Sequence, residues 1–191
     1  TAFCCVLRIC RITKYAEKAT PDIRKMANKL VTLSPDHKDE IAMRLNKHFM
    51  SSLMSVRFLA LLALLSTEKQ LRKKLLVAVV QKKRQWLKDN SSRLDDKDGD
   101  RQLVSLLPEY VLPWLIYILA DLPSFHAEKE VDPPTYEGTC KHLQTYLDVI
   151  SQGTSNHAFI TKLLYDVKQL DVAAQPGLCV RSPSSLHPTY L

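Results

Sequence analysis

The sequence predicts an all-α protein: a solenoid of about three stacked helix pairs over residues 1–174, with a flexible tail over 175–191. Three observations predict it. Apolar residues recur at spacings of three and four along nearly the whole chain, the period of one helix face. Only 4 of the 191 residues are Gly, too few for a turn-rich β-fold, and no segment reads as a strand. Helical segments also pair at intervals of roughly forty residues, and several are apolar on two sides, as stacking between neighbours requires. No strict residue repeat accompanies this spacing, so a compact bundle is the alternative arrangement.

The elements follow in order. Residues 1–12 carry an apolar patch broken by Arg8 and Arg11, suited to a buried helix. Ser34 and Pro35 open the next well-marked helix, Ser as its cap and Pro at the first position, where a missing N–H costs nothing. Ile41, Leu45, Phe49, Leu53 and Val56 form its stripe, and the segment grows almost wholly apolar through Leu59, Leu61, Leu62, Leu64 and Leu65. Such a helix packs between neighbours. A helix over about 68–89 presents Leu71, Leu75, Ala78, Val79 and Trp86 on one side. Residues 90–101, rich in Asp and containing Gly99, read as a loop.

Over 102–121, Pro108 and Pro113 each remove a helix hydrogen bond, so a short turn is expected before a helix starting near Pro113. Leu122 and Pro123 end it, and Pro133 and Pro134 lie in the loop that follows. Tyr136, Cys140, Leu143, Leu147 and Ile150 make another stripe, stopped by Gly153. Asn156 is placed to cap a last helix with Phe159, Leu163, Val167 and Leu170 on its buried side. The intervals between these pairs match those of HEAT-type repeats.

Composition narrows the function classes. A chain 46% hydrophobic and 25% charged is too apolar for a wholly disordered protein. Thr1 in place of an initiating Met reads as a piece of a longer chain. The five cysteines, Cys4, Cys5, Cys10, Cys140 and Cys179, are odd in number and widely scattered, which favours a reducing compartment over a disulfide framework. The most apolar stretch, residues 56–65, is interrupted by Arg57 and falls short of the roughly 20 residues of a membrane span, so no membrane partner is expected.

No constellation carries chemistry. The glycines stand at 99, 138, 153 and 177, far too dispersed to cradle a phosphate. The six histidines never pair on one helix face, and Cys140 with His142 makes half of a zinc site at best. Cys140 is expected to be a small core residue on its stripe. Placing Gly99 at the sixth position of a calcium loop puts Leu94 first and Ser105 last, where carboxylates are required. No serine or histidine sits in a nucleophile setting, so a non-enzyme without cofactor is expected.

The net charge of +7 is localised. Residues 41–89 hold eleven Lys or Arg against Glu68 and Asp89 alone, whereas the remainder is slightly acidic. On one helix, Lys69, Arg72, Lys73, Lys83 and Arg84 fall within about 120° of one another, with Leu76 and Val80 among them. Five cations on one face are candidates for contact with DNA phosphates, an inositol phosphate or an acidic partner. An ordinary solvated face is the competing account, and Leu76 and Val80 among the cations argue for partial packing against a neighbour. No aromatic interleaves with the bases, which disfavours single-strand binding.

The segment Leu103-Val-Ser-Leu-Leu-Pro-Glu-Tyr-Val-Leu-Pro-Trp-Leu-Ile-Tyr-Ile-Leu-Ala120 resembles the precocious-dissociation-of-sisters family, the cohesin-associated regulators of sister chromatid cohesion. Ser155-Asn-His-Ala-Phe-Ile-Thr-Lys162 is a second match, and weaker ones at 4–10, 45–48 and 57–63 keep the family's order. The resemblance implies a HEAT-repeat protein of the nucleus, without catalysis of its own, that associates with cohesin subunits, cohesin regulators and chromatin. It implies regulation of cohesion through protein contacts; the alternative, read from the basic helix over 69–88, is binding of a polyanion, DNA or an inositol phosphate. Residues 95–100 and 126–137 depart from the family's pattern.

Overall fold

The computed structural model describes residues 2–9, 23–51, 54–65, 69–90, 106–120, 133–152 and 156–169. Its elements are α1 (Ala2–Ile9), α2 (Ile23–Val31), α3 (Pro35–Ser51), a 3-10 segment (Val56–Leu61) running into the short α4 (Leu62–Leu65), and α5 (Lys69–Asp89). A 3-10 turn (Pro108–Tyr110) then runs into α6 (Val111–Ala120), followed by α7 (Pro133–Ser151) and α8 (His157–Gln169). Among the described residues there is no strand, and the helices stack as an all-α, HEAT-like arrangement. No described helix is long and apolar enough to cross a membrane. The expected tail over 175–191 and the Asp-rich stretch over 95–100 lie outside the described residues, as do Leu53, Leu122, Pro123 and Gly153.

Pro35 takes the first position of α3 as expected, and the Lys38 amide bonds the Ser34 carbonyl at 3.0 Å. The Ser34 hydroxyl pairs with the His37 ring at 2.7 Å. The apolar run that follows differs from a continuous helix. α3 stops at Ser51, Ser55 is extended, and the chain resumes as 3-10 turns with all of Val56–Leu61 buried. The tighter winding spreads side chains over three directions, so a segment apolar all round is covered on every side. Its main neighbour is α6, a helix equally apolar all round, which also meets α7 and α8. α5 packs on both α3 and α7.

Arg57, the charge inside this apolar run, is 7% exposed; its Nε donates to Ser55 Oγ at 2.9 Å and its guanidinium lies 5.5 Å from the Trp114 ring centre. The proline pair expected in a loop instead opens α7, whose first residue is Pro133. The first turn of a helix has no intrahelical N–H bond to lose, so prolines fit there. Pro108 likewise starts a 3-10 turn, with Tyr110 N bonded to Leu107 O at 3.1 Å, and α6 begins at Val111 with Pro113 in its first turn. A continuous core runs from Ile23 and Leu30 through Phe49, Phe58 and Leu76 to Leu115, Tyr146 and Ile160. A satellite cluster joins Val56, Leu107, Tyr110 and Leu163, with Tyr110 edge-on to Phe159 at 5.8 Å.

Candidate interaction surface on the basic helix

α5 is helical for local reasons: its 21 residues contain no Gly or Pro and are rich in Lys, Gln, Leu and Arg. It ends at Asn90, whose side-chain Nδ2 donates to Trp86 O at 2.9 Å while its own amide reaches the same carbonyl at 3.1 Å. Its buried residues are Arg72, Leu75, Leu76, Val79, Val80 and Lys83.

The inward side of the helix is therefore the side expected to be cationic and solvent-facing. Leu76 and Val80, at the centre of that arc, are 0% and 1% exposed and carry their basic neighbours inward with them. Arg72 and Lys83 are 8% and 2% exposed. Arg84 is half-buried, and only Lys69 and Lys73 of the five face solvent. The apolar side expected to be buried splits as well: Leu75 and Val79 are covered, but Leu71, Ala78 and Trp86 are half-exposed.

Each inward cation has an acceptor. Lys83 Nζ donates to Met54 O at 2.6 Å and lies 5.7 Å from the Phe49 ring centre. Lys82, though exposed, donates to Met50 O in the last turn of α3. Arg84 Nη1 donates to Gln152 O at 3.0 Å, and Nη2 donates to Ile150 O. These carbonyls belong to the ends of α3 and α7 or to the residues just beyond. Helix C-termini leave carbonyls without intrahelical partners and carry the negative end of the dipole. Basic residues of α5 thus fasten the C-terminal ends of the helices on either side of it.

Titration follows from this burial. Burial, and then the neighbouring Lys82 charge, bring Lys83 down to about 7. Arg72 pairs with His142 Nδ1; since a guanidinium only donates, that nitrogen must be the unprotonated one. Burial first and the Arg72 charge second bring His142 down to about 4. Tyr146, 0% exposed, donates to Leu59 O at 2.8 Å, and burial pushes its phenol up. The fold also buries Glu109, at 5% exposed, between Arg84 Nη2 at 3.7 Å and the Asn156 side-chain amide. Asn156, expected as a cap, directly precedes α8 and accepts the Ile160 amide on its carbonyl at 2.9 Å.

Cys140, expected in the core, is exposed, because the buried face of α7 is centred on Tyr146 with Val149 and Ile150 instead. Among the described residues no three His, Cys, Asp or Glu side chains come close enough to hold a metal. Sequence reasoning missed Lys74, which is exposed beside Lys73, and the shallow, open groove on the outward side of α5. Gln70, Lys73, Lys74, Val77, Ala78 and Gln81 line that groove among the described residues. The signal was present in the placing of small and apolar Val77 and Ala78 between Lys74 and Gln81.

A family model described as sister chromatid cohesion protein PDS5 matches residues 1–180. The chain is similar to sister chromatid cohesion protein PDS5 homolog A of Gallus gallus and of Homo sapiens, each 26% identical over 140 residues, covering 71% of this chain and 10% of the relative. It is also similar to PDS5 homolog B of Homo sapiens, 28% identical over 101 residues, covering 53% of this chain and 7% of the relative. The chain thus spans about a tenth of the length of these curated relatives. No solved structure matches it.

Proposed function

The chain belongs to the PDS5 family of sister chromatid cohesion proteins, and from that premise we propose that it is a non-enzymatic scaffold, associated with cohesin on chromatin in the nucleus. It regulates sister chromatid cohesion by contacts with cohesin subunits and their regulators. The observation that carries this reading is the family match over residues 1–180. The fate of the buried polar groups supports it. Lys83, Arg84, Arg72, His142, Tyr146 and Glu109 all bond to the chain itself, which spends them on holding helices together. A stack of this kind offers extended surfaces and grooves for helices and peptides.

Capture of cohesin subunits by the immobilised chain, followed by cross-linking, tests the proposal. Cross-links from the chain to a cohesin subunit are the expected result, and their absence, with the chain folded by circular dichroism, overturns it.

Direct polyanion binding is the second reading, favoured by the two outward cations Lys69 and Lys73 of the original five. It requires affinity for duplex DNA that falls steeply with salt and disappears when these charges are reversed.

A further inference from the structure

We infer that the outward groove of α5 docks an acidic, amphipathic segment of a partner protein, with an apolar side chain on Val77 and Ala78 and carboxylates on Lys73 and Lys74. This inference rests on the scaffold reading and gives it a place and a ligand chemistry. Lys83, Arg84 and Lys82 have an evident structural task in fastening helix ends. Lys73 and Lys74 do not. Both are exposed, and among the described residues no carboxylate pairs with either. Between them and Gln81 lie Val77 and Ala78, both half-buried, on a shallow, open apolar patch of the helix face. Val77 and Ala78 give an apolar side chain a small surface to rest on, with the Gln70 and Gln81 carboxamides beside it to bond a peptide backbone.

Charge complementarity selects the partner. On α5 the exposed cations are Lys69, Lys73, Lys74, Lys82 and Lys88, and its one acidic residue is Asp89 at the far end. A field of one sign steers an acidic segment in and repels a basic one. A nucleic acid fits the lysines but not the apolar patch. Phosphate rails have no apolar group to seat there, and the groove offers no aromatic face for a base. An apolar anchor inside a charged rim is instead how peptide grooves combine affinity with selectivity.

The test titrates the full 191-residue chain into a fluorescein-labelled synthetic helix of about 14 residues carrying Leu at i and i+4 between Asp and Glu, read by anisotropy. A control peptide replaces both Leu by Ser, and duplex DNA of about 20 base pairs is a third probe. Lys73→Glu with Lys74→Glu is expected to weaken the Leu peptide about tenfold or more. Ala78→Arg discriminates, because it adds positive charge while filling the groove. Docking predicts a loss of about tenfold there, whereas a featureless cationic surface predicts a gain. All three positions are exposed or half-exposed, and circular dichroism confirms that each variant is folded.

Equal binding of the Leu and Ser peptides, or unchanged or tighter binding by Ala78→Arg, overturns the inference. So does DNA binding tighter than the Leu peptide through the same lysines. Cohesin-subunit capture that persists alongside any of these results leaves the scaffold reading standing and removes only the groove.

Discussion

Lys83 Nζ sits 2.6 Å from the carbonyl oxygen of Met54, in a place where the lysine is 2% exposed. Met54 lies just beyond the end of α3, in the short stretch before the 3-10 segment, where its carbonyl has no helical partner. The bond joins the middle of one helix to the break after another, and its donor is brought down to about 7 by burial and by Lys82. Between that value and the ordinary 10.5, the unfolded chain holds a proton that the native chain has released. Stability against unfolding therefore rises with pH across this window, and the burial cost of the charge is fully present below it. Lys83→Met is expected to flatten the rise. Above the window's upper end it costs about 1–3 kcal/mol for the orphaned carbonyl, and the deficit shrinks toward neutral pH. Urea unfolding at several pH values reads both effects, and an unchanged slope in the variant refutes the assignment.

His142 supplies the opposite end of the pH range. Its value is lowered from 6.5 to about 4, so between those two pH values the unfolded chain binds a proton that the native chain refuses. Stability is complete above the upper value and is lost as pH falls toward the lower one. Acidification charges the ring beside the Arg72 guanidinium and breaks the acceptor role of Nδ1. His142→Gln keeps an acceptor without the titration, so its unfolding midpoint is expected to change less between pH 6.5 and 4 than that of the parent chain. Identical acid sensitivity in both proteins would place the titrating group elsewhere.

The sequence made much of this legible and misjudged one face. Apolar spacing located α3, α5, α6, α7 and α8, and the Ser34–Pro35 start and the turn at Pro108 followed from the geometry of proline. The basic helix was harder, because angular clustering says which residues share a side but not whether that side faces water. Leu76 and Val80 within the arc were the sign that it faces inward. What the sequence alone does not contain is the acceptors: Met54, Ile150 and Gln152 are 29, 66 and 68 positions from their donors. Cys140 erred for a related reason. A stripe drawn through Leu143 and Leu147 lies beside the buried one, and those two leucines are only half-buried. Tyr146 and His142 fill the true inward face, and their polar atoms hid it from a count of apolar residues.

Gly138 offers a gain in stability. It lies within α7, and a Cβ placed there meets nothing within 4 Å. Gly138→Ala removes backbone freedom from the unfolded chain without a steric cost in the native one. The substitution is expected to add roughly 0.5–1 kcal/mol, read as a raised urea midpoint at unchanged denaturant slope. A lowered midpoint would mean that the space beside Gly138 is filled in solution.

Arg84 is the residue whose loss should cost most on α5, because it serves three acceptors at once. Its guanidinium donates to Ile150 O and Gln152 O at the end of α7 and lies 3.7 Å from Glu109, whose side chain is 7% exposed. Arg84→Ala leaves a buried carboxylate and two carbonyls without their cation. Removing one partner of a fully buried pair costs about 3–5 kcal/mol, and the 26% exposure of the Arg84 side chain brings the expectation to about 2–3 kcal/mol. Arg84→Lys keeps the charge but not the fork, so it recovers only part of that loss. Adding Glu109→Gln to Arg84→Ala separates the two contributions. If the carboxylate is the main liability, the double variant is more stable than Arg84→Ala alone, whereas additive losses assign the cost to the α7 carbonyls.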